Sequence, residues 1–136
     1  MLERDYIKRL IRQFFDADAL EKLIEKKEYL PQENIQLEFE GMYRTYFLES
    51  KEFFCTQDKE YLLMYLCQTF ERHELLDRVE ILAELLYQDA LIQSSDDEQK
   101  NLLEKSLYLL EYLDQHSDTF SFERKGKIAG IKKMIG

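Results

Sequence analysis

The chain has 136 residues and a net charge of −9, with 45% hydrophobic and 35% charged residues, which is typical of one folded domain. These values argue against disorder, and the acidic balance argues against nucleic-acid binding through the body of the chain. One proline and four glycines interrupt apolar residues that recur at helical spacing. We therefore expect a single all-α domain over residues 1–136, with about six antiparallel helices.

The sequence also indicates a reduced, cytoplasmic protein. No run approaches the roughly 18 uncharged apolar residues of a membrane-spanning helix. The amino end is charged from Glu3, so we expect no signal peptide. Cys55 and Cys67 stand without a second pair that could complete a disulfide framework or a four-ligand zinc site. We expect both thiols to fill helix surface or core.

Three helices are predicted in the first half of the chain. The first runs from about Glu3 to Glu28, with apolar stripes on two different sides. Pro31 suits the first turn of the second helix, which we expect to end near Cys55. The third helix is short and is expected to start at Thr56, with Asp58 behind it. The inward residues of the second and third helices are predicted to be Ile35, Phe39, Met42, Tyr43, Tyr46, Phe53, Leu62, Tyr65, Leu66, Thr69 and Phe70.

Three more helices are predicted in the second half. The fourth runs from about Glu74 to Ile92 and is apolar nearly all round, so we expect it to be the central, most buried helix. Ser95 and Glu98 form a capping box at the start of the fifth, and Ser121 can cap the last. The inward residues of these last two helices are predicted to be Leu103, Ser106, Leu107, Leu110, Leu113, Ile128, Ile131 and Ile135.

Three segments of the chain carry a resemblance. They are Glu3-Arg4-Asp5-Tyr6-Ile7 with Arg9 and Ile11, the run from Ile81 to Leu86, and Lys105-Ser106-Leu107. Together they resemble a bacterial family of small helical proteins catalogued only as a domain of unknown function, over nearly the whole chain. This resemblance implies a helical fold, and it implies no reaction and no catalytic residue.

Residues 79–116 are in addition similar to a tetratricopeptide hairpin. Ala83 stands at the small-residue position of its first helix and Ser106 at that of its second. The connection is about four residues too long, and the consensus aromatic and proline are missing. We expect right-handed, tetratricopeptide-like stacking as a geometry and infer no repeat function from it.

Charge is segregated along the chain. Residues 1–30 are neutral overall, residues 31–123 carry −14, and residues 124–136 carry +5. The acidic middle could serve a basic partner, or it could provide solubility and pair with the basic end of the same chain. We expect the basic last helix to dock on the acidic helices and to cover part of Tyr108 and Tyr112. Burial of its isoleucines should hold it there, with charge only tuning the contact.

No group of residues suggests catalysis. His73 and Asp77 share a helix face, yet a zinc-protease helix has histidine where Asp77 stands, and no third ligand is evident. His116 is predicted to interact with carbonyl groups at the end of its own helix. We therefore expect no catalytic residue, no metal and no cofactor.

A pair of tyrosines is the strongest candidate for a binding surface. Tyr108 and Tyr112 lie one turn apart on the face opposite Leu103 and Leu110, beside Glu104 and Glu111. Paired tyrosines amid acidic groups are typical of partner-binding surfaces, because tyrosine offers a large contact area at low entropic cost. The alternative is that the last helix covers both tyrosines as a second core layer.

These patterns favour a non-catalytic protein-interaction or scaffold module. The expected partner is another protein or peptide of basic character, with no nucleic acid and no membrane span, and a homodimer is compatible with the sequence. The alternative interpretation is that the chain is a small-molecule-binding protein or a small enzyme with an internal pocket. The tyrosines that would line this pocket are Tyr43, Tyr46, Tyr61 and Tyr65.

Overall fold

The computed structural model describes residues 32–136, and the side chains from Ile35 onward. The predicted first helix therefore lies outside the described residues. The described residues form α-helices and one short 3-10 turn, without strands, which confirms the all-α class. The chain divides into two compact units, residues 1–51 and 52–136. A single domain stays a prediction.

In the first unit, helix α1 spans Gln32–Phe47 and buries an aromatic face. The helix does not continue to Cys55, so that part of the prediction is wrong. Leu48 adopts φ of 66°, a left-handed conformation that interrupts a helix and that leucine rarely adopts. The residues around Leu48 include neither glycine nor proline, so the sequence does not mark this break. The buried residues of α1 are Ile35, Phe39, Tyr43, Tyr46 and Phe47.

Glu40 explains where the next helix begins. Helix α2 spans Lys51–Thr56, and the backbone N–H of Lys51 donates a 2.8 Å hydrogen bond to the Glu40 carboxylate. The other carboxylate oxygen accepts from Nε of Arg44 at 2.7 Å. A first-turn N–H has no partner within its own helix, so Glu40 supplies the acceptor that a new helix start requires.

Helices α3, α5 and α6 each start directly after a residue whose side chain caps them. Helix α3 spans Lys59–Thr69 and α4 spans Leu75–Leu91, preceded by the 3-10 turn Arg72–Glu74. Helix α5 spans Asp96–His116 and α6 spans Phe122–Ile135. Asp58 accepts from the backbone N–H of Tyr61 at 2.8 Å, Ser95 from Glu98 at 3.4 Å and Ser121 from Arg124 at 3.1 Å. The predicted caps Ser95 and Ser121 are confirmed, whereas Thr56 ends α2 and Asp58 behind it caps α3.

Helix α4 is the most buried helix described, as its apolar circumference predicts. Seven of its apolar residues have no exposed area, and polar residues on it are buried as well. Two of the buried polar residues pair with each other, because the Gln88 side chain donates a 3.1 Å hydrogen bond to Glu84. The fully buried apolar residues are Val79, Ile81, Leu82, Ala83, Leu85, Leu86 and Ala90.

Lys105 links α5 to the end of α2. Its side chain is only 5% exposed, and Nζ donates to the carbonyl oxygens of Phe54 and Cys55 at 3.1 and 2.6 Å. Nδ2 of Asn101 donates to the same Cys55 oxygen at 3.0 Å. Carbonyl groups in the last turn of a helix lack intrahelical donors, so a buried lysine and an asparagine complete α2. Burial lowers the pKa of Lys105, although nearby acidic groups oppose the shift.

Candidate interaction surface

Helix α5 presents a strip of acidic and aromatic side chains away from α4. We call Asp97, Glu104, Tyr108 and Tyr112 the outer strip. They are spaced by seven, four and four residues and so share one side of the helix. Asp97 and Glu104 are exposed, whereas both tyrosines are half-buried. The strip begins in the acidic first turn of α5, where negative charge is stabilised by the helix dipole.

The two tyrosines have different neighbours. The ammonium group of Lys59, at the start of α3, lies 5.6 Å from the centre of the Tyr108 ring. The Tyr112 ring stacks on His116, with ring centres 4.1 Å apart and an angle of 22° between planes. Nδ1 of His116 also lies 2.9 Å from the Tyr112 carbonyl oxygen, which confirms the predicted contact at the helix end.

An exposed thiol of α3 lies near this pair. Burial raises the pKa of Tyr112, and the electrostatic influence of Cys67 and Tyr108 raises it further. Cys67 itself is exposed. The thiol of α3 and the two tyrosines of α5 therefore lie within electrostatic range of one another. The sequence gives no sign of this, because Cys67 and Tyr112 are distant in the chain and the packing of α3 on α5 alone brings them near.

Glu104 and Glu111 occupy different environments. Glu104 is exposed beside Tyr108, whereas a Glu111 oxygen lies 3.7 Å from Nζ of Lys132 on α6. Of the four predicted partner-binding residues, Glu104, Tyr108 and Tyr112 thus share the outer strip. Glu111 lies at its border and contacts the last helix.

The last helix docks on α4 and α5, where its basic side chains contact acidic residues of both helices. Nε of Arg124 lies 3.1 Å from Asp114, and Lys125 binds the other oxygen of that carboxylate. Lys127 pairs with Glu84 of α4. Two isoleucines of α6, Ile128 and Ile131, are buried in the same contact. The helix therefore lies on the α5 side that carries Glu111 and Asp114, while the neighbours shown for Tyr108 and Tyr112 belong to α3 and to His116.

The alternative tyrosine pocket remains a prediction. Tyr43 and Tyr46 are buried in the first unit, and Tyr65 is half-buried in the second. Tyr61 is 40% exposed, and Phe53 lies between it and Tyr65, with ring centres at 6.0 and 4.9 Å. A cleft of about 240 Å³ in the second unit lies elsewhere, between α5 and α6. Its lining residues are Asp96, Gln99, Lys100, Leu103, Met134 and Ile135.

Within residues 32–136, three or more histidine, cysteine or carboxylate side chains nowhere converge in a way that could hold a metal ion. His73 lies 3.3 Å from a carboxylate oxygen of Glu71, its near neighbour in the chain. This pair sits at the 3-10 turn, where Glu71 and Glu74 form a capping box. Glu71 therefore serves as a capping residue at the start of a helical turn.

No family model, curated protein or solved structure matches the chain. The resemblances seen in the sequence therefore stay predictions. In the described part of the chain, no helix combines the length and the apolar character needed to cross a membrane.

Proposed function

We propose that the protein is a non-catalytic interaction or scaffold module whose acidic helical surface binds a basic segment of a protein partner. The observation that carries this proposal is the outer strip. Tyr108 and Tyr112 remain half-exposed beside Glu104, although α6 has docked on the same helix. Partly exposed aromatic rings with adjacent charge provide contact area and orientation together.

The contact between α4 and α6 supports the kind of partner that we propose. Lys127 pairs with Glu84, and its ammonium group lies 5.0 Å from the centre of the Tyr87 ring. A carboxylate and a tyrosine one turn apart thus hold a lysine of a basic helix within this chain. Glu104 and Tyr108 repeat that combination on the outer strip. Lys59 of the same chain lies 5.6 Å from the Tyr108 ring, and we propose that a cation of a partner binds beside it at Glu104.

Charge and the two cysteines support the remaining parts of the proposal. Acidic groups repel phosphate, so we propose that the partner is a protein or peptide and not a nucleic acid. We place the module in the cytoplasm, where Cys55 and Cys67 would stay reduced. Catalysis has no part in this proposal.

The test is capture of partners by the full chain and by charge variants. Wild-type protein on beads is mixed with native lysate, retained proteins are identified, and each is then purified and titrated against the chain. We expect Glu104→Lys to weaken binding of the true partner at least severalfold, because it places a cation opposite the basic segment. Tyr108→Leu should weaken it as well.

The matched control is Asp118→Lys, which makes the same charge change at an exposed position of the α5–α6 connection. It should bind the partner like the wild type. If Glu104→Lys and Tyr108→Leu leave the affinity unchanged, the outer strip is not the binding surface.

A further inference from the structure

A basic side chain lies at the edge of the acidic outer strip. The ammonium group of Lys59, on α3, is 5.6 Å from the centre of the Tyr108 ring, and the lysine is exposed. Glu104 lies one turn before Tyr108 on α5 and is exposed as well. The Tyr108 ring therefore has a carboxylate beside it along its own helix and an ammonium group beside it from α3.

The stability of α3 does not explain the charge of Lys59. This lysine is the first residue of the helix, where the helix dipole opposes a positive charge. In the part of the chain that the structure describes, its ammonium group forms no ion pair, although Asp58 and Glu60 are its neighbours in the sequence. Its contact is with the Tyr108 ring. The positive charge is therefore accessible to a group outside the chain.

The contact between α4 and α6 shows what Lys59 changes. There Lys127 pairs with Glu84 and lies over the Tyr87 ring. At Tyr108 the place over the ring is already occupied by Lys59 of the same chain. A partner's cation that binds the carboxylate of the strip lies beside this second positive charge, and like charges side by side repel. A segment that carries only basic residues is therefore a poor match for the strip.

We infer that the outer strip recognises a partner segment of mixed charge, in which a basic residue faces Glu104 and an acidic residue faces Lys59. This inference rests on the proposed function, because it names the partner of the same surface. Tyr108 lies between the two charges, so the aliphatic stem of the partner's basic residue can cover its ring. The partner's two charged residues should lie about one helical turn apart, as residues three or four positions apart do in a helix.

Selection from a peptide library tests this charge pattern without a known partner. Short peptides of random sequence are displayed on phage and selected on the full wild-type chain, on Lys59→Glu and on Lys133→Glu. The wild type should select peptides with a basic and an acidic residue three or four positions apart. Lys59→Glu should select peptides with a second basic residue in place of the acidic one. Lys133→Glu is the matched control, because it makes the same charge change at an exposed position of α6, and it should select like the wild type.

Titration of one selected peptide measures the specificity. The peptide that the wild type selects most often is synthesised together with a version whose acidic residue is replaced by lysine. This replacement should weaken binding to the wild type roughly five- to tenfold, because it exchanges attraction for repulsion at Lys59. Lys59→Glu should bind the lysine version more tightly than the original. It should also keep or raise the melting temperature, because the helix dipole favours an acidic residue in the first turn of α3.

Glu104→Lys separates this inference from the proposed function. If Glu104→Lys weakens binding of the selected peptide while Lys59→Glu leaves the charge preference unchanged, the inference is overturned and the proposed surface stands. If neither variant changes binding, both are overturned. Selection of uniformly basic peptides by the wild type, or of peptides without a common charge pattern, would also overturn the inference.

Discussion

The hydroxyl of Ser106 donates a 2.7 Å hydrogen bond to the backbone carbonyl oxygen of Ala83, and both residues are fully buried. These are the two small residues that the tetratricopeptide resemblance places at the close contact of a helix pair. In the structure Ala83 of α4 and Ser106 of α5 are in direct contact. The stacking of the remaining helices on that pattern stays a prediction.

Substitutions at Ser106 should separate the hydrogen bond from the steric requirement. Ser106→Ala should lower the free energy of unfolding by about 0.5–1.5 kcal/mol through loss of one buried hydrogen bond. Ser106→Leu should cost more, about 1–3 kcal/mol or above, because the larger side chain forces α4 and α5 apart. Urea unfolding measures both values. The same substitutions at the exposed Ser94 should change little, and equal effects of alanine and leucine at Ser106 would contradict a close contact.

Lys105 should make stability depend on alkaline pH. Burial lowers its pKa in the folded state below the ordinary 10.5, so the unfolded chain binds the proton more tightly. The free energy of unfolding should therefore rise as the pH increases from the folded pKa towards 10.5. Lys105→Met should remove this rise and, through lost hydrogen bonds to α2, lower stability by about 1–3 kcal/mol at neutral pH. Lys100→Met, at an exposed position of α5, is the control and should preserve the pH profile.

Apolar contact should hold α6 more firmly than its ion pairs do. Ile131→Ala removes a fully buried side chain and should cost about 2–5 kcal/mol. Lys132→Ala breaks an exposed pair with Glu111 and should cost at most about 1 kcal/mol. Thermal unfolding at low and high salt measures both, and only the Lys132 effect should shrink as salt rises. The reverse ranking would show that charge is the main force in docking.

Asp114 should contribute to stability only while it is ionised. Hydrogen bonds from Lys125 and Arg124 lower the pKa of its carboxyl below the ordinary 3.8. Its contribution is therefore fully present above pH 3.8 and is lost as the pH falls through the folded pKa. Asp114→Asn should be less stable than the wild type at neutral pH, and the difference should vanish in strong acid. Asp118→Asn should follow the wild type throughout, which denaturant titrations at several pH values can establish.

Binding of a partner at the outer strip should weaken as salt rises. The Debye length falls from about 10 Å at 0.1 M salt to about 3 Å at 1 M, so attraction between exposed charges is largely screened. Titration of the identified partner at both salt concentrations measures the change. An affinity that is unchanged over this range would mean that apolar contact with Tyr108 and Tyr112, and not the acidic groups, drives binding.

The sequence predicted those features that depend on neighbouring residues. Ser95 and Ser121 cap the helices that follow them, because a cap needs only its own side chain and the next three residues. The burial of α4 could likewise be predicted, since a helix that is apolar nearly all round has no side suited to water.

Features that depend on distant residues could not be predicted. The break at Leu48 coincides with an acceptor supplied by Glu40, and an ordinary leucine gives no signal of it. Lys105 looks like a surface residue in the sequence, and only the position of the α2 carbonyl groups explains its burial. In the outer strip, the paired tyrosines were predictable from helical spacing, whereas the contributions of Cys67 and Lys59 required the packing of α3.

The buried amine of Lys105 can report how often the contact between α5 and the end of α2 opens. Lys100 lies about one and a half turns earlier on α5 and is exposed, so an amine-reactive reagent can reach it in every folded molecule. It can acylate Lys105 only during the brief intervals when the end of α2 has separated from α5. The ratio of the two labelling rates, read by mass spectrometry, would therefore report how often this contact opens under conditions that keep the rest of the chain folded.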